Sequence, residues 1–337
     1  MKKLIRAVAA FVVATSMLAA AGCANPNGQN KTVTIATHDS FVMSKELIAQ
    51  FEKKTGYKLE IAKMGDAGEL TNKLVITKDT PVADAFFGID NTFSGVAKKN
   101  QIVDGSMTAI DYADVCFNYD IAWFKHHGLA APSTWQELTN SKYRGLTVVE
   151  NPATSSTGLA FLFATVAQLG VMKLPDGSAV GWKVWWKQLA ENGLKVDAGW
   201  EQAYYTDFSG SSGKGDYPIV LSYSSSPADE VNSDGTPRTA SISKDCFRQT
   251  EYAGVLAHAS NPTGARALID FMLGKDFQAS LPESMYVYPV NITVNVPARW
   301  SDIAKPADTF VDTSKLNFDK YRTKWIDEWT SIVMARA

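Results

Sequence analysis

The chain has 337 residues, 45% of them hydrophobic and 20% charged, with 33 basic and 35 acidic side chains. That composition excludes a disordered, collagen-like or multi-span membrane chain, and the missing basic excess argues against a nucleic-acid surface. The length exceeds what one core normally serves and predicts two lobes of roughly 150 residues each.

The N-terminal segment reads as an export signal. Lys2, Lys3 and Arg6 precede an apolar run from Ala7 to Gly22 that is broken only by Thr15 and Ser16. This run falls short of the ~20 apolar residues that span a bilayer, and it ends in small residues. The ending Ala20-Ala21-Gly22-Cys23 resembles a bacterial lipobox, with Ala20 where leucine is commoner. That resemblance implies removal of residues 1–22 and a diacylglycerol on Cys23. Loss of three basic groups leaves a mildly acidic mature chain, better suited to a cationic small ligand than to an anionic one. Residues 24–31, rich in Asn, Pro and Gly, read as a tether.

Two other cysteines remain, Cys116 and Cys246. In an oxidising compartment an even pair usually forms a disulfide, the alternative being two buried thiols. No Cys-x-x-Cys or other metal-binding spacing is present, and no metal is expected.

From residue 32 short β-branched runs alternate with helical periods. Val33–Thr37 reads as a strand, and residues 44–55 as a helix ended by Gly56. A strand at Lys58–Met64, a helix at Glu69–Lys78 and a strand at Ala83–Gly88 complete a βαβαβ order, which implies a parallel sheet with helices on both faces. Ser133-Thr134-Trp135-Gln136 offers a helix start, and Leu146–Val149 a short strand. Ser156–Leu169 is a helix apolar nearly all round, hence buried within its lobe. Strands follow at Tyr217–Tyr223 and Glu251–Ala257, and Asn261-Pro262 opens another helix. The last helix gathers Trp325, Trp329, Ile332 and Val333 and must dock, by expectation on the first lobe.

Hydrolase and nucleotide motifs are missing. There is no Gly-x-Ser-x-Gly, no His-Glu-x-x-His, and Lys214 lacks both the earlier glycine and the following Ser/Thr of a phosphate loop. Nothing points positively to an enzyme or to a bound cofactor. Polar and aromatic residues collect instead at strand-to-helix junctions, where open α/β sheets bind ligands. The first strand ends His38-Asp39-Ser40-Phe41, the next junction carries Asp66, and the third ends Gly88-Ile89-Asp90-Asn91. These carboxylates either meet a ligand or cap helices. Ser155, Ser156 and Thr157 stand at the head of the buried helix, where hydroxyls and N–H groups bind anions or polar groups. Trp200, Tyr204, Tyr223, Tyr286 and Tyr288 sit at or beside strand ends, and aromatic faces attract a flat cation by up to ~2 kcal/mol when desolvated.

The motifs Thr37-His38-Asp39-Ser40-Phe41, Gly88-Ile89-Asp90-Asn91, Gly199-Trp200-Glu201-Gln202-Ala203-Tyr204, Leu221-Ser222-Tyr223-Ser224-Ser225-Ser226-Pro227 and Tyr288-Pro289-Val290 occur in this order. Together they resemble the thiamine-binding proteins of bacterial ABC importers. The resemblance runs from about residue 32 to 332 and implies a type II periplasmic-binding-protein fold: two α/β lobes joined by crossing strands, with the ligand in the cleft. It divides the chain into a first lobe, 32–112, a second lobe, 113–249, and a return to the first lobe, 250–337. It implies that His38, Asp39, Asp66, Asp90, Trp200, Tyr204, Tyr223, Ser225 and Tyr286 face the vitamin, and that Ser155, Ser156 and Thr157 take its hydroxyl or phosphate tail. His38 replaces a tyrosine and Tyr286 a tryptophan of the family pattern. A neutral His38 is expected, because an imidazolium would repel the thiazolium. The implied partners are thiamine or a thiamine phosphate, an ABC permease with its ATPase, and the membrane through the lipid; the receptor is expected to be a monomer at the outer face of the membrane or in the periplasm.

Two other readings stay open. Adjacent Tyr204 and Tyr205 offer two phenolates to ferric ion, and a secreted thiamine-processing enzyme would need Cys116 or Cys246 as nucleophile.

Overall fold

The computed structural model describes residues 31–173, 179–212 and 214–336. The expected export signal, the expected lipidation at Cys23 and the expected tether as far as residue 30 lie outside the described residues.

The βαβαβ beginning is present. Strand β1 (Thr32–Thr37) pairs in parallel with β2 (Lys58–Lys63) and with β3 (Ala85–Asp90). Between them run α1 (Lys45–Thr55), α2 (Ala67–Ile76) and, after β3, α3 (Ser94–Lys99). Ser44 caps α1 through the Leu47 N–H, and Gly56 ends it at φ 76°, a left-handed turn that glycine adopts without steric cost. Helix α2 starts two residues earlier than its apolar spacing suggests, because Asp66 caps it.

The next two lobe-spanning strands carry the architecture. Strand β4 (Thr108–Asp120) leads into α4 (Ile121–His126), and β10 (Thr239–Val255) runs antiparallel to it over most of its length. Between them in sequence come β5 (Thr147–Glu150), α5 (Ser156–Leu169), the hairpin of β6 (Val171–Lys173) and β7 (Ala179–Gly181), α6 (Trp182–Glu191), β8 (Lys195–Asp197), α7 (Ser209–Ser212) and β9 (Ile219–Tyr223). After β10 follow α8 (Pro262–Met272), α9 (Lys275–Ser284), β11 (Tyr288–Pro289), α10 (Trp300–Ile303) and α11 (Phe318–Val333). The main sheet is ordered β2-β1-β3-β10-β4-β9-β5-β8, with β11 on β4. One end of β10 pairs with β3, while the far end of β4 pairs with β9, so these two strands join the halves of the molecule.

Sequence patterning missed β4 and saw only the last part of β10. Buried Asp111, Asp114 and Asn118 break the apolar rhythm of β4, and β10 is bulged between Ile242 and Phe247, with Asp245 at φ 55°. The crossing is clasped there. Arg248 donates to Asp114 at 2.7 and 3.0 Å, its guanidinium lies over Tyr112 and Phe310, and Ala307 N–H donates to Asp114 Oδ2 at 2.9 Å. A disulfide joins Cys116 of β4 to Cys246 of β10, with their Cα atoms 5.1 Å apart.

Two other expectations change. Ser133 gives its N–H and hydroxyl to Glu137, but only a short 3-10 turn follows, Trp135–Thr139. The last helix does not dock on the first lobe alone. Trp329 of α11 packs edge-on to Trp186 of α6, Phe318 stacks on Phe163 of α5 at 4.2 Å, Lys183 pairs with Glu328 at 2.7 Å, and Arg322 reaches Phe93 beside α3. Helix α11 therefore spans both halves. Helix α5 matches expectation, buried on every side from Ser156 to Val166.

Candidate functional site

The carboxyl ends of strands from both halves meet at one gap, as the switch-point rule for open α/β sheets requires. Its walls are His38 and Ser40 after β1, Asp66 and Ala67 at the head of α2, Glu251 on β10, and Met285 and Val287 after α9 on one side. On the other stand Ser156 and Thr157 at the head of α5, Trp200 after β8, and Tyr223 at the end of β9. The gap is narrow, about 40 Å³. It continues past Asp66 and Trp200 into a wider mouth of about 240 Å³ that includes Asp39, Glu69 and Glu201. Among the described residues the lining includes no lysine or arginine, though at the mouth Lys73 pairs with Glu69 at 3.8 Å and Lys63 donates to the Asp39 carbonyl at 2.6 Å.

Across the gap itself, main chain and one carboxylate link the two sides. The Gly68 and Glu69 N–H groups at the head of α2 donate to the Thr154 carbonyl at 2.9 and 3.3 Å, and Asp66 Oδ2 accepts the Trp200 N–H at 2.9 Å. Gly68 is obligatory at this approach, since a Cβ there would lie 2.5 Å from the Thr154 oxygen.

Trp200 is buried, packed with Val148, Tyr204, Phe208 and Val220 of its own half. Tyr204 stacks on one indole face at 4.8 Å, and the indole N–H donates to Ser222 Oγ at 2.9 Å, which fixes the ring plane against the gap. Tyr204 thus supports Trp200 from behind and does not line the gap. Its hydroxyl donates to the Ser226 carbonyl at 3.4 Å. Tyr205 is turned edge-on to Tyr204 and is partly exposed, so the two phenols are not presented as a pair.

His38 and Glu251 form an ion pair at 3.3 Å across the floor. Burial works against the imidazolium, but Glu251, with Asp66 and Asp39 adding, outweighs it and raises the pKa above its ordinary value. The neighbouring carboxylates thus work toward its charged form, against the neutral ring expected for binding a cation. Gly88, at φ 101°, leaves the space the ring needs, since a Cβ there would meet His38 at 2.1 Å.

The remaining expected residues divide. Asp66 lines the gap, and burial raises its pKa even though the Trp200 and Ala67 N–H groups oppose the shift. Asp39 lies at the mouth and accepts the Gly65 N–H. Asp90 is off the wall: its Oδ1 caps the turn at Thr92 and Phe93, while Oδ2 stays buried without a partner, and burial lifts its pKa to about 7. Ser155 is behind the wall, hydrogen-bonded to Thr157 Oγ1 at 2.9 Å. Thr157 donates onward to Glu150 at 2.7 Å, and Ser156 accepts from Gln249 at 3.1 Å. Ser225 donates to the Tyr286 carbonyl, and Tyr286 itself, at φ 58°, lies beside Asp229 rather than on the wall; its neighbours Met285 and Val287 line the gap instead. Tyr288 packs on Tyr112 in a separate cluster.

Sequence reasoning missed Glu251, Glu150 and Asp111. All three are buried, and desolvation holds the Glu150 and Asp111 carboxyls well above the usual range. Glu150 carried the one readable signal: it ends the strand just before the hydroxyl-rich helix head.

Comparison with known proteins follows the same lines. The thiamine-binding periplasmic protein of Salmonella typhimurium is 28% identical over 334 residues, covering 92% of this chain and 96% of that one; that of Escherichia coli is 27% identical over 330 residues with the same coverage. A periplasmic thiamin binding protein of known structure superposes with a TM-score of 0.76 at 24% identity, over 90% of this chain and 96% of that one. A ferric binding protein from Campylobacter jejuni shares the fold at TM-score 0.67 and 17% identity, over 89% and 99% of the two chains. The model of the bacterial extracellular solute-binding protein family matches residues 87–306, both crossing strands and the second half between them, so the chain belongs to that family.

Proposed function

We propose that this receptor captures thiamine, or one of its phosphates, outside the cytoplasmic membrane and delivers it to an ABC permease with its ATPase. One observation carries the reading: a gap walled by Asp66, Glu251, Trp200 and Tyr223 whose lining, among the described residues, holds no lysine or arginine. Thiamine is a flat cation with an amine donor, so it needs ring faces, carboxylates and few competing positive charges. The names of the relatives that align along nearly the whole chain support the same vitamin.

A lining without lysine or arginine offers an anionic phosphate tail no strong cationic partner, which favours the free alcohol over the phosphate forms. No cofactor enters this reading; the vitamin is cargo. The mature chain works as a monomer held by a lipid on Cys23, with lobe boundaries at 112/113 and 249/250. Ferric capture is the weaker alternative, since the Tyr204 hydroxyl is committed to Ser226. An enzymatic reading lacks its nucleophile while Cys116 and Cys246 are bonded to each other.

Calorimetric titration of the soluble fragment beginning at Ala24 with thiamine, its monophosphate and its diphosphate tests the proposal. Saturable binding, strongest for thiamine, is expected. Ferric binding with a visible phenolate band and no heat from any of the three would overturn it.

A further inference from the structure

Glu251 of β10 stands opposite Asp90 of β3 on one side and Asp111 of β4 on the other. Directly paired residues on neighbouring strands share a face of the sheet, so the three carboxyls form one row across it. Asp90 and Asp111 are fully buried, and Glu251 is 7% exposed. Both Asp111 oxygens and Asp90 Oδ2 have no hydrogen-bond donor to accept from. The groups facing the row are His38 from β1, Asp66 from the head of α2, Glu150 from β5, Tyr223 from β9, Tyr252 from β10 and Arg322 from α11. Two of them are basic, and only His38 touches the row, at Glu251.

Three neighbouring buried carboxylates with so little positive charge cannot all be ionised at neutral pH; protons must be shared along the row. A proton on Asp111 also supplies the donor that its unpartnered oxygens and the facing Glu251 otherwise lack. A cation arriving at the gap wall meets Glu251, the member of the row that lines the gap.

We propose that the Asp90–Glu251–Asp111 row is a proton-exchange element for cation capture: a positively charged ligand at Glu251 displaces a shared carboxylic proton, which leaves to a solvent base, so that binding tightens as pH rises. This rests on the cationic-vitamin reading above, but it makes a separate claim. A site whose carboxylates stay ionised would bind the same vitamin without moving a proton.

The test is calorimetric titration of the fragment beginning at Ala24 with thiamine, in two buffers of different ionisation enthalpy at pH 7, with thiochrome as the flat uncharged comparison. Release of about half a proton or more per thiamine is expected, with affinity rising roughly threefold or more per pH unit by linkage. Thiochrome should release none. In Asp111→Asn the release should fall while thiamine still binds; His38→Gln removes a wall group and should weaken binding, yet leave the protons released per bound thiamine at about half or more. Thiamine binding with buffer-independent heat would overturn the proton exchange and leave the vitamin reading standing. Release that vanishes in His38→Gln and persists in Asp111→Asn would overturn it by assigning the proton to the imidazole. No binding of thiamine at all would remove both.

Discussion

Asp66 serves both halves of the molecule at once, its Oδ1 accepting the Ala67 N–H at 2.6 Å and its Oδ2 the Trp200 N–H at 2.9 Å across the gap. The cap of α2 is therefore also a latch, and closing the gap and orienting the indole are one event. The Thr154 carbonyl on the α2 amides completes the closure.

Because that closure is main chain against main chain, Gly68→Ala should wedge it open. Alanine improves the helix by up to ~1 kcal/mol, while the overpacked contact with Thr154 costs about 1–3 kcal/mol only in the closed form. The expected outcome is a melting temperature kept or raised, a larger radius of gyration in X-ray scattering, and thiamine affinity down about tenfold, equivalent to 1.4 kcal/mol. Unchanged scattering and affinity would show that the halves do not close through Gly68.

Trp200→Ala should weaken thiamine binding by about 1–3 kcal/mol through loss of the ring face. Trp200→Phe keeps a ring above Tyr204 but loses the indole bond to Ser222, and should recover part of the affinity. Titration of the two variants separates stacking from packing: equal losses would mean the ring does not meet the ligand.

Asp90 gives a pH signature. Its carboxyl titrates near 7 in the fold, against about 3.9 in an unfolded chain. The folded form therefore holds the extra proton, and this group's contribution to stability declines as pH rises from about 4 to about 7, then levels off. Asp90→Asn retains the acceptor for Thr92 and Phe93 but cannot ionise. It should stabilise the protein on the order of 3 kcal/mol at pH 8 and far less at pH 4, as read from urea midpoints. A pH-independent difference would assign Asp90 to capping alone.

The disulfide closes a loop of 130 residues, worth about 5 kcal/mol in the chain-entropy account. Cys116→Ser with Cys246→Ser should lower the urea midpoint accordingly. Thiamine titration of the same variant at 10 °C reports whether the crossing strands keep their geometry without it, and binding within about threefold is expected because the Asp114–Arg248 clasp remains.

His38, Asp66, Ser156, Thr157, Trp200 and Tyr223 were legible in the sequence because they sit where strands end, and strand ends are marked by the switch from two-residue to helical spacing. Glu251 was not, because it lies inside β10, where a charged residue between Thr250 and Tyr252 reads as a solvated face. The same cause hid β4: polar groups buried at the crossing, Asp111, Asp114 and Asn118, erase the apolar alternation by which strands are recognised. Tyr286 was misplaced by one residue in each direction, since its left-handed backbone turns its ring away from the wall occupied by Met285 and Val287. The Cys116–Cys246 pairing was readable because only two candidates remained downstream of Cys23.

The bulge of β10 is finished by residues far downstream. The Cys246 N–H donates to Thr309 and its carbonyl accepts from Val311, beside the contact of Ala307 with Asp114. During synthesis some sixty further residues must emerge before those partners exist. The joint therefore closes only after residues 307–311 have been made, well after both crossing strands exist.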